Sequence, residues 1–310
     1  MTLRSSTIPL LCALSMTSVA ATSAAPSITT IDIRGSVTTF ANDINDRGDV
    51  VGAYTASDGR TRGFLWSGDD NDVAVIEFPD AQLTAIFGVN NRREMVGHYY
   101  LCEVRDPAGV CALLGEGHPF VFRDGVFTPI DIPVGASSLV PYDINNRGDI
   151  VGTYSVSVEH VGSFPRGFLI DQHGTFHTVD LPNDPSTWEL RGINDQGDTV
   201  GYFADVVNGI GRTGFLLERN GGFTTLDLPG GGESIAQGIN ARGDVVGSYS
   251  LVPNGLFLQG FVYSRTGDVS SFVIPGTYLT HADRINDRGQ IVGIYMNTAT
   301  GRAYGFVAGP

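Results

Sequence analysis

Two pairs of ionisable residues have types and spacing that suit acid–base and ion-pair chemistry. Glu189 and Arg191 form the first pair, which ends three residues before an asparagine. His281 and Asp283 form the second pair, at the same distance from another asparagine. Residues two apart in a β-strand point to one face, so each pair can meet the same ligand. A carboxylate or an imidazole can transfer a proton, and a guanidinium can neutralise a substrate carboxylate.

Both asparagines belong to a segment that the chain writes six times. The copies contain Asn45, Asn90, Asn145, Asn194, Asn240 and Asn286, which are separated by 45, 55, 49, 46 and 46 residues. A period of this size is typical of propellers, solenoids and repeat arrays. Residues of different repeats can therefore be compared by their position relative to the asparagine.

Three residues before the asparagine, at position −3, the copies differ in chemistry. They hold Asn42, Phe87, Tyr142, Arg191, Gln237 and Asp283. A packing position would keep similar apolar side chains, so this variation indicates residues that line a central channel. The channel either binds a ligand or holds only solvent. The predicted ligand-binding residues are Asn42, Tyr142, Glu189, Arg191, Gln237, His281 and Asp283.

The residue directly before the asparagine is always isoleucine or valine, which predicts that it packs between sheets. In a regular strand, positions −1, −3 and −5 share one face, and an unpaired charge in a core costs several kcal/mol. Either a bulge at position −2 turns the polar residues toward the channel, or the charged residues pair inside the core.

The repeated segment itself is typical of a β-hairpin. In the first copy Asn45 is followed by Asp46, Arg47 and Gly48. Asparagine is favoured at the first position of a type I turn, where its side chain bonds the backbone two residues on. Gly48 suits the left-handed conformation that completes the loop. The second copy has Arg93 there, so we expect that turn to be strained or differently shaped.

Each repeat contains four short apolar segments separated by turn residues, which predicts an all-β protein. In the fifth repeat these segments are 223–229, 234–240, 245–249 and 260–263. Four strands in about 46 residues form one propeller blade. The predicted fold is therefore a six-bladed β-propeller of four-stranded blades, with a β-solenoid as the alternative.

Proline predicts the order of strands within a blade. It ends segment one at Pro79, Pro133, Pro182, Pro229 and Pro275, and proline in a sheet belongs at an edge. Segment one is thus predicted to be the outer strand and segment two the innermost. The chain begins with a segment one, at 29–33, and ends with a segment four. The N-terminal strand is therefore predicted to complete the last blade and close the ring.

The N-terminus is typical of a secretory signal peptide. Arg4 precedes an apolar stretch, 8–19, that is too short to span a bilayer, and small residues follow it. We predict a signal peptide at 1–25, a single six-repeat domain at 26–310, and a secreted or periplasmic location. Cys102 and Cys111 would remain after export, and two cysteines this close in an oxidising compartment predict a disulfide.

Composition narrows the function classes. The 310-residue chain has a formal charge of −14, and its 19 basic residues are all arginine. The absence of lysine excludes Schiff-base chemistry on this chain, and an acidic surface without a basic run argues against nucleic acid as a partner. No segment after the signal peptide is long and apolar enough for a membrane helix. We expect a monomer without a cofactor.

Two patterns resemble metal sites but do not meet the requirements of one. The first copy reads D-x-N-x-x-G from Asp43, but a calcium loop needs an oxygen ligand where Arg47 stands. The two thiols lack the histidine spacing of a zinc site. No metal site is predicted.

Segment four carries a short motif that resembles a known family. It reads His118-Pro119-Phe120 in the second repeat, Arg62-Gly63-Phe64 in the first, and Gly-Phe in the other four. With the preceding asparagine turn and its Val-Gly, the mature chain resembles the extracellular HAF-repeat family. The resemblance implies a secreted bacterial β-propeller-like repeat protein and brings no catalytic residues.

Two functions remain open. The first is a binding or interaction module with a glycan or protein ligand, which we favour because no catalytic motif is recognisable. The second is an extracellular carbohydrate-active enzyme, a hydrolase or lyase, with its site at the channel mouth. There His281 or Glu189 would transfer a proton and Arg191 would neutralise a substrate carboxylate. Convergence of the acids and the histidine would favour the enzyme.

Overall fold

The computed structural model describes residues 27–68, 72–158, 162–182, 185–205, 210–230, 232–252 and 259–309. Every regular element within these ranges is a β-strand, which confirms the all-β prediction. None of the described residues belongs to a helix that could cross a membrane. The predicted signal peptide, 1–25, lies outside the described residues.

The strands form groups of four, in which segment one of a sequence repeat joins segments two to four of the repeat before it. From here on, a repeat means such a group, numbered by its asparagine. The first repeat contains β2 (Ser36–Ile44), β3 (Asp49–Ala56), β4 (Thr61–Ser67) and β5 (Asp72–Ile76). The second contains β6 (Leu83–Val89), β7 (Met95–Arg105), β8 (Cys111–Arg123) and β9 (Val126–Pro129). The third contains β10 (Ala136–Ile144), β11 (Ile150–Val158), β12 (Gly162–Ile170) and β13 (Phe176–Thr178).

The remaining repeats have the same pattern. The fourth contains β14 (Thr187–Ile193), β15 (Thr199–Asp205), β16 (Ile210–Leu217) and β17 (Phe223–Thr225). The fifth contains β18 (Ser234–Ile239), β19 (Val245–Tyr249), β20 (Gln259–Tyr263) and β21 (Val269–Phe272). The sixth contains β22 (Thr277–Ile285), β23 (Ile291–Asn297) and β24 (Ala303–Ala308), and it is joined by β1 (Ile28–Ile31).

Each group pairs in the predicted order. Segment two pairs with segment three, three with four, and four with one, always antiparallel. Four of the groups are separate four-stranded sheets, and the first two repeats share an eight-stranded sheet through one parallel bridge between Thr61 and Leu83. The N-terminal strand β1 pairs with β24, from Ile28 opposite Ala308 to Ile31 opposite Gly305. Segment one is thus the outer strand of its sheet.

The asparagine turn has the predicted geometry. Asn45 Oδ1 accepts hydrogen bonds from the backbone N–H of Arg47 at 2.9 Å and of Asp49 at 3.0 Å. Gly48 has φ +87°, in the region that favours glycine. Arg93 adopts φ +60° at the same place, so the second turn keeps the shape and carries the backbone strain. Arg93 compensates with two bonds to the Asp49 carboxylate, at 2.8 and 2.9 Å.

The hydrophobic core lies in the seams between neighbouring sheets. One cluster combines Ile44 and Val50 of the first repeat with Val292 of the sixth. The phenylalanine of the segment-four motif is fully buried in all six repeats, as Phe64, Phe120, Phe168, Phe215, Phe261 and Phe306. This motif is therefore a packing element, because six equivalent rings fill six equivalent places.

The predicted disulfide is present. Cys102 and Cys111 are bonded, with their Cα atoms 5.7 Å apart, across the extended hairpin of β7 and β8. A bridge in so short a loop is expected to contribute at most about 2–3 kcal/mol to stability.

We expect the exported protein to show no titratable free thiol before reduction. Because the bridge joins two strands of one hairpin, reduction should increase hydrogen exchange in residues around 100–114 and leave the other sheets protected. Thiol titration of the native protein and hydrogen exchange with and without reductant measure both effects. Two free thiols, or a global loss of protection on reduction, would contradict the prediction.

Candidate functional site: a central chamber lined by every repeat

A β-bulge interrupts segment two in every repeat. In the first repeat Ala41 pairs with Gly52 and Asp43 with Val51, which leaves Asn42 without a partner. The same shift skips Phe87, Tyr142, Arg191, Gln237 and Asp283. Of the two alternatives that the sequence left open, the structure shows the bulge, but the extra residue stands at position −3 rather than −2. The position −2 residue stays in the ladder.

The bulge reverses the side-chain alternation and explains one invariant glycine. A Cβ on Gly52 would lie 1.8 Å from the carbonyl oxygen of Phe40, so no other residue fits there. Ala41, at position −4, is completely buried, whereas Asn42, at position −3, is partly exposed. The polar set therefore faces away from the packed seams, because a bulge shifts the face that a strand presents.

The six bulged residues meet in one cavity, which we call the central chamber. It has a volume of about 160 Å³. Its walls are Asn42, Phe87, Tyr142, Arg191, Gln237, Asp283 and Arg284. Five of the seven residues predicted to bind a ligand thus line one space. Phe87 and Arg284 were not among the predicted residues.

Glu189 and His281, the other two predicted residues, stand next to the chamber walls. Glu189 Oε2 lies 2.5 Å from Arg191 Nη2. The hydroxyl of Tyr202 donates a hydrogen bond to Glu189 Oε1 at 2.6 Å. Burial, together with the Glu189 carboxylate, raises the pKa of Tyr202 to about 12, so this hydroxyl remains a donor. The guanidinium of Arg191 also stacks on the ring of Tyr142, 4.0 Å from its centroid.

The second ionisable pair lies on β22. Burial raises the pKa of Asp283, and the charges of His281, Arg284 and Arg191 oppose this shift. His281 Nε2 is buried and has no hydrogen-bond partner among the described residues. Arg191 Nε is in the same situation. Buried polar atoms are normally paired, so these two atoms are unsatisfied polar groups beside the chamber, with no exposed surface of their own.

Arg284 forms the floor of the central chamber. Its side chain is only 8% exposed. Nη1 donates to the carbonyls of Gln237 and Asp283 at 2.7 and 2.8 Å, and Nη2 donates to those of Tyr142 and Arg191 at 2.8 and 2.7 Å. All four carbonyls belong to bulged residues, whose backbone leaves the regular ladder. One guanidinium thus ties together four repeats.

Two buried carboxylates lie on the other side of Arg284. Its Nε is 3.5 Å from Asp143 Oδ2 and 3.8 Å from Asp43 Oδ1. Asp43 accepts hydrogen bonds from the N–H groups of Ile44 and Val89, at 2.7 and 2.6 Å. Its carboxylate therefore accepts bonds from the backbone and lies beside the positive charge of Arg284. Among the described residues, no group of three or more His, Cys, Asp or Glu could hold a metal ion.

The asparagine turns form a circuit of hydrogen bonds below this floor. The Nδ2 of Asn45 donates to the carbonyl of Asn90 at 3.1 Å. The same bond leads from each asparagine to that of the next repeat, and Asn286 donates to Asn45 at 3.0 Å. The repeated asparagine is explained by this contact, which needs one donor and one acceptor from every repeat.

The comparisons with known proteins bear on the fold. No protein-family model and no curated protein sequence matches this chain. Among solved structures, the chain is similar to TolB from Acinetobacter baumannii, with a TM-score of 0.54 and 13% identity over 85% of this chain. The fold is β-propeller-like. The chain spans 64% of that TolB chain.

Two further structures are similar to this chain. One is a prolyl endopeptidase, with a TM-score of 0.50 and 10% identity over 92% of this chain and 42% of the other. The second is a gluconolactonase from Xanthomonas campestris, with a TM-score of 0.48 and 12% identity over 92% and 95%. Identities this low show the fold alone, so the function has to be argued from the chamber.

Proposed function

We propose that this protein is a secreted six-bladed β-propeller whose central chamber binds the end of a glycan. The observation that carries the proposal is the convergence of six chemically different side chains, one from each repeat, on one chamber. The circuit of asparagines supports a ring of six blades, and the pairing of β1 with β24 supports its closure by the N-terminal strand.

The proposed location and family rest on the N-terminus and the repeats. The disulfide is compatible with an oxidising compartment, which agrees with a signal peptide at 1–25. The six buried phenylalanines give the HAF-like motif a packing role. We therefore propose that the chain is a member of the HAF-repeat family, folded as one domain over 26–310.

The chamber's polar groups favour a sugar with several oxygens. Arg191 and Gln237 line the chamber, where a guanidinium or an amide can hydrogen-bond a carboxylate or hydroxyl oxygen of the ligand. Phe87 and Tyr142 give the wall an aromatic part, with their ring centroids 5.9 Å apart. The volume of about 160 Å³ exceeds the space for one water several-fold, so a single sugar unit is a suitable size.

The geometry favours binding over catalysis. Glu189 is held on both oxygens, by Tyr202 and by Arg191. A carboxylate whose two oxygens already contact these neighbours has no free oxygen with which to exchange a proton with a ligand. A carbohydrate-active enzyme is therefore the second candidate function. Only an enzyme would release product in the glycan screen described next.

A glycan and polysaccharide screen that measures binding and product release separately tests the proposal. We expect binding without product release, and a loss of affinity of at least about tenfold in Gln237→Ala and Arg191→Ala. Arg265→Ala is the matched control, because Arg265 is an exposed arginine outside the chamber, and it should bind as the wild type does.

The stability of these variants has to be measured as well, because a variant that unfolds would also lose affinity for the glycan. Gln237→Ala should unfold within about 1 kcal/mol of the wild type, and Arg191→Ala should lose less than about 3 kcal/mol, because Glu189 keeps Tyr202. Unchanged glycan affinity in both folded chamber variants would contradict the chamber as the site. Release of shortened product would instead favour the enzyme, and binding of proteins alone would contradict a glycan ligand.

A further inference from the structure

A second cavity, of about 440 Å³, lies between the second and third repeats. We call it the seam cavity, and it shares no residue with the central chamber. Its apolar lining includes Val121, Ile130, Ile144, Ile150, Ile170 and Phe176. A volume of this size is within the range of small-molecule sites, and its walls combine apolar side chains and polar groups in similar shares.

In the second repeat, a side chain that other repeats bury near the end of segment one is exposed instead. In the third, fourth and fifth repeats, the apolar residue before the proline of segment one is buried, as Leu181, Leu228 and Ile274. In the second repeat the matching residue, Ile132, is 39% exposed. Val134, just beyond the proline, is fully exposed. The seam therefore lacks a side chain that packs into the core in other repeats.

The corresponding seam between the sixth and first repeats indicates what fits. Its cavity is smaller, about 180 Å³. Its lining includes Ile44, Gly48, Trp66 and Val307, at the positions that Ile144, Gly148, Ile170 and Val121 hold in the seam cavity. Trp66 packs there against the core cluster of Ile44 and Val307. An indole ring thus lies where the seam cavity has an isoleucine.

The rim of the seam cavity disfavours an anionic ligand. Asp131 and Asp171 contribute two carboxylates, against one guanidinium from Arg123. Arg123 is already paired with Glu94. The Asp171 carboxylate is also occupied, since it accepts from His177 Nε2 at 3.1 Å and from two backbone N–H groups. Arg123 is therefore not free to hold an anion in the cavity, and the two carboxylates repel one.

We propose that the seam cavity binds a small neutral aromatic molecule, of the size of indole or larger. The ring would lie against Ile170 and Phe176, as Trp66 lies in the other seam, and bury apolar surface that now faces an open cavity. This site is independent of the proposed glycan site, because the two are lined by different residues.

Indole is the probe for the first test, and its binding to the protein is measured by ligand-observed NMR or calorimetry. We expect a dissociation constant of about 0.1–1 mM for the wild type, the usual range for a fragment of this size. Indole-3-acetate, which adds a negative charge, should bind at least about threefold more weakly. No saturable indole binding by the folded wild type would overturn the proposal.

Two variants locate the binding. Ile170→Trp places the ring of the protein in the cavity and should weaken indole binding at least about tenfold. Tyr263→Trp is the matched control, since Tyr263 holds the same position in the fifth repeat, and it should bind indole unchanged. If Ile170→Trp does not fold, Ile170→Ala should keep indole binding and bind naphthalene more tightly. Equal indole affinity in folded Ile170→Trp, or no tighter naphthalene binding by Ile170→Ala, contradicts the site.

Discussion

Arg284→Met is expected to lower the free energy of unfolding by about 3–5 kcal/mol. Methionine is similar in length, but it leaves Asp43 and Asp143 buried without their neighbouring cation. It also removes the donors from four backbone carbonyls, and unpaired buried acceptors are costly. Arg265→Met, at an exposed arginine, should change the free energy by less than about 0.5 kcal/mol. Urea unfolding measures both.

The pH dependence of this variant distinguishes the ion cluster from a simple packing defect. Burial raises the pKa of Asp43 and of Asp143, whereas Arg284 lowers both. Without Arg284 both pKa values rise further above the unfolded value. A carboxyl with a raised folded pKa destabilises the fold when charged, and this cost disappears as the pH falls below its folded pKa.

Arg284→Met should therefore be closer to the wild type at about pH 4.5 than at about pH 7. An equal loss of unfolding free energy at both pH values would mean that Arg284 does not change the pKa values of the two carboxyl groups. A loss below about 1 kcal/mol at neutral pH would contradict the role of Arg284 in tying four repeats together.

Deleting the chain through Ile33 is expected to destabilise the whole fold, with a melting temperature at least about 5 °C below that of a protein starting at Ser27. The deletion removes β1, whose four residues pair with β24. It also removes the hydroxyl of Thr30, 3.0 Å from that of Tyr295, and uncovers an edge strand. Melting within a degree or two of the reference would mean that the last sheet is stable without the N-terminal strand.

Two isoleucines of β1 provide a matched pair for this prediction. Ile31 is 4% exposed and belongs to a core cluster with Val307, whereas Ile28 is 38% exposed. Ile31→Ala should cost about 2–4 kcal/mol, because it leaves a cavity, and Ile28→Ala less than about 1 kcal/mol. Equal effects of the two substitutions would contradict the docking of β1 through its buried face.

Much of the fold could be predicted because its signals are local and repeated. The turn at Asn45 depends on residues within five positions, so its side-chain bonds and the left-handed Gly48 followed from the residue types. Proline at the end of segment one indicated that this segment lies at the edge of its sheet. The pairing of β1 with β24 followed from counting segments, and the disulfide followed from the short distance between two cysteines.

The candidate site could be predicted only in part. Variation at position −3 identified the residues that line the chamber, because a packing position would have varied less. Arg284 stands at position −2, where the other copies have glycine or aspartate, and this contrast was a signal that could have identified it. Its role depends on carbonyls of three other repeats, which no spacing within one repeat reveals.

The sequence by itself determined the repeat, the hairpins, the order of strands and the residues that vary among otherwise equal copies, because each depends on chain-local chemistry or on periodicity. Only the tertiary structure decided where the bulge falls, which polar atoms lie unpaired, and which cavities stay open. Those features depend on distances between residues more than 40 positions apart, such as Ile44 to Val307 in one seam. They are set by how six similar groups of strands pack with unequal side chains.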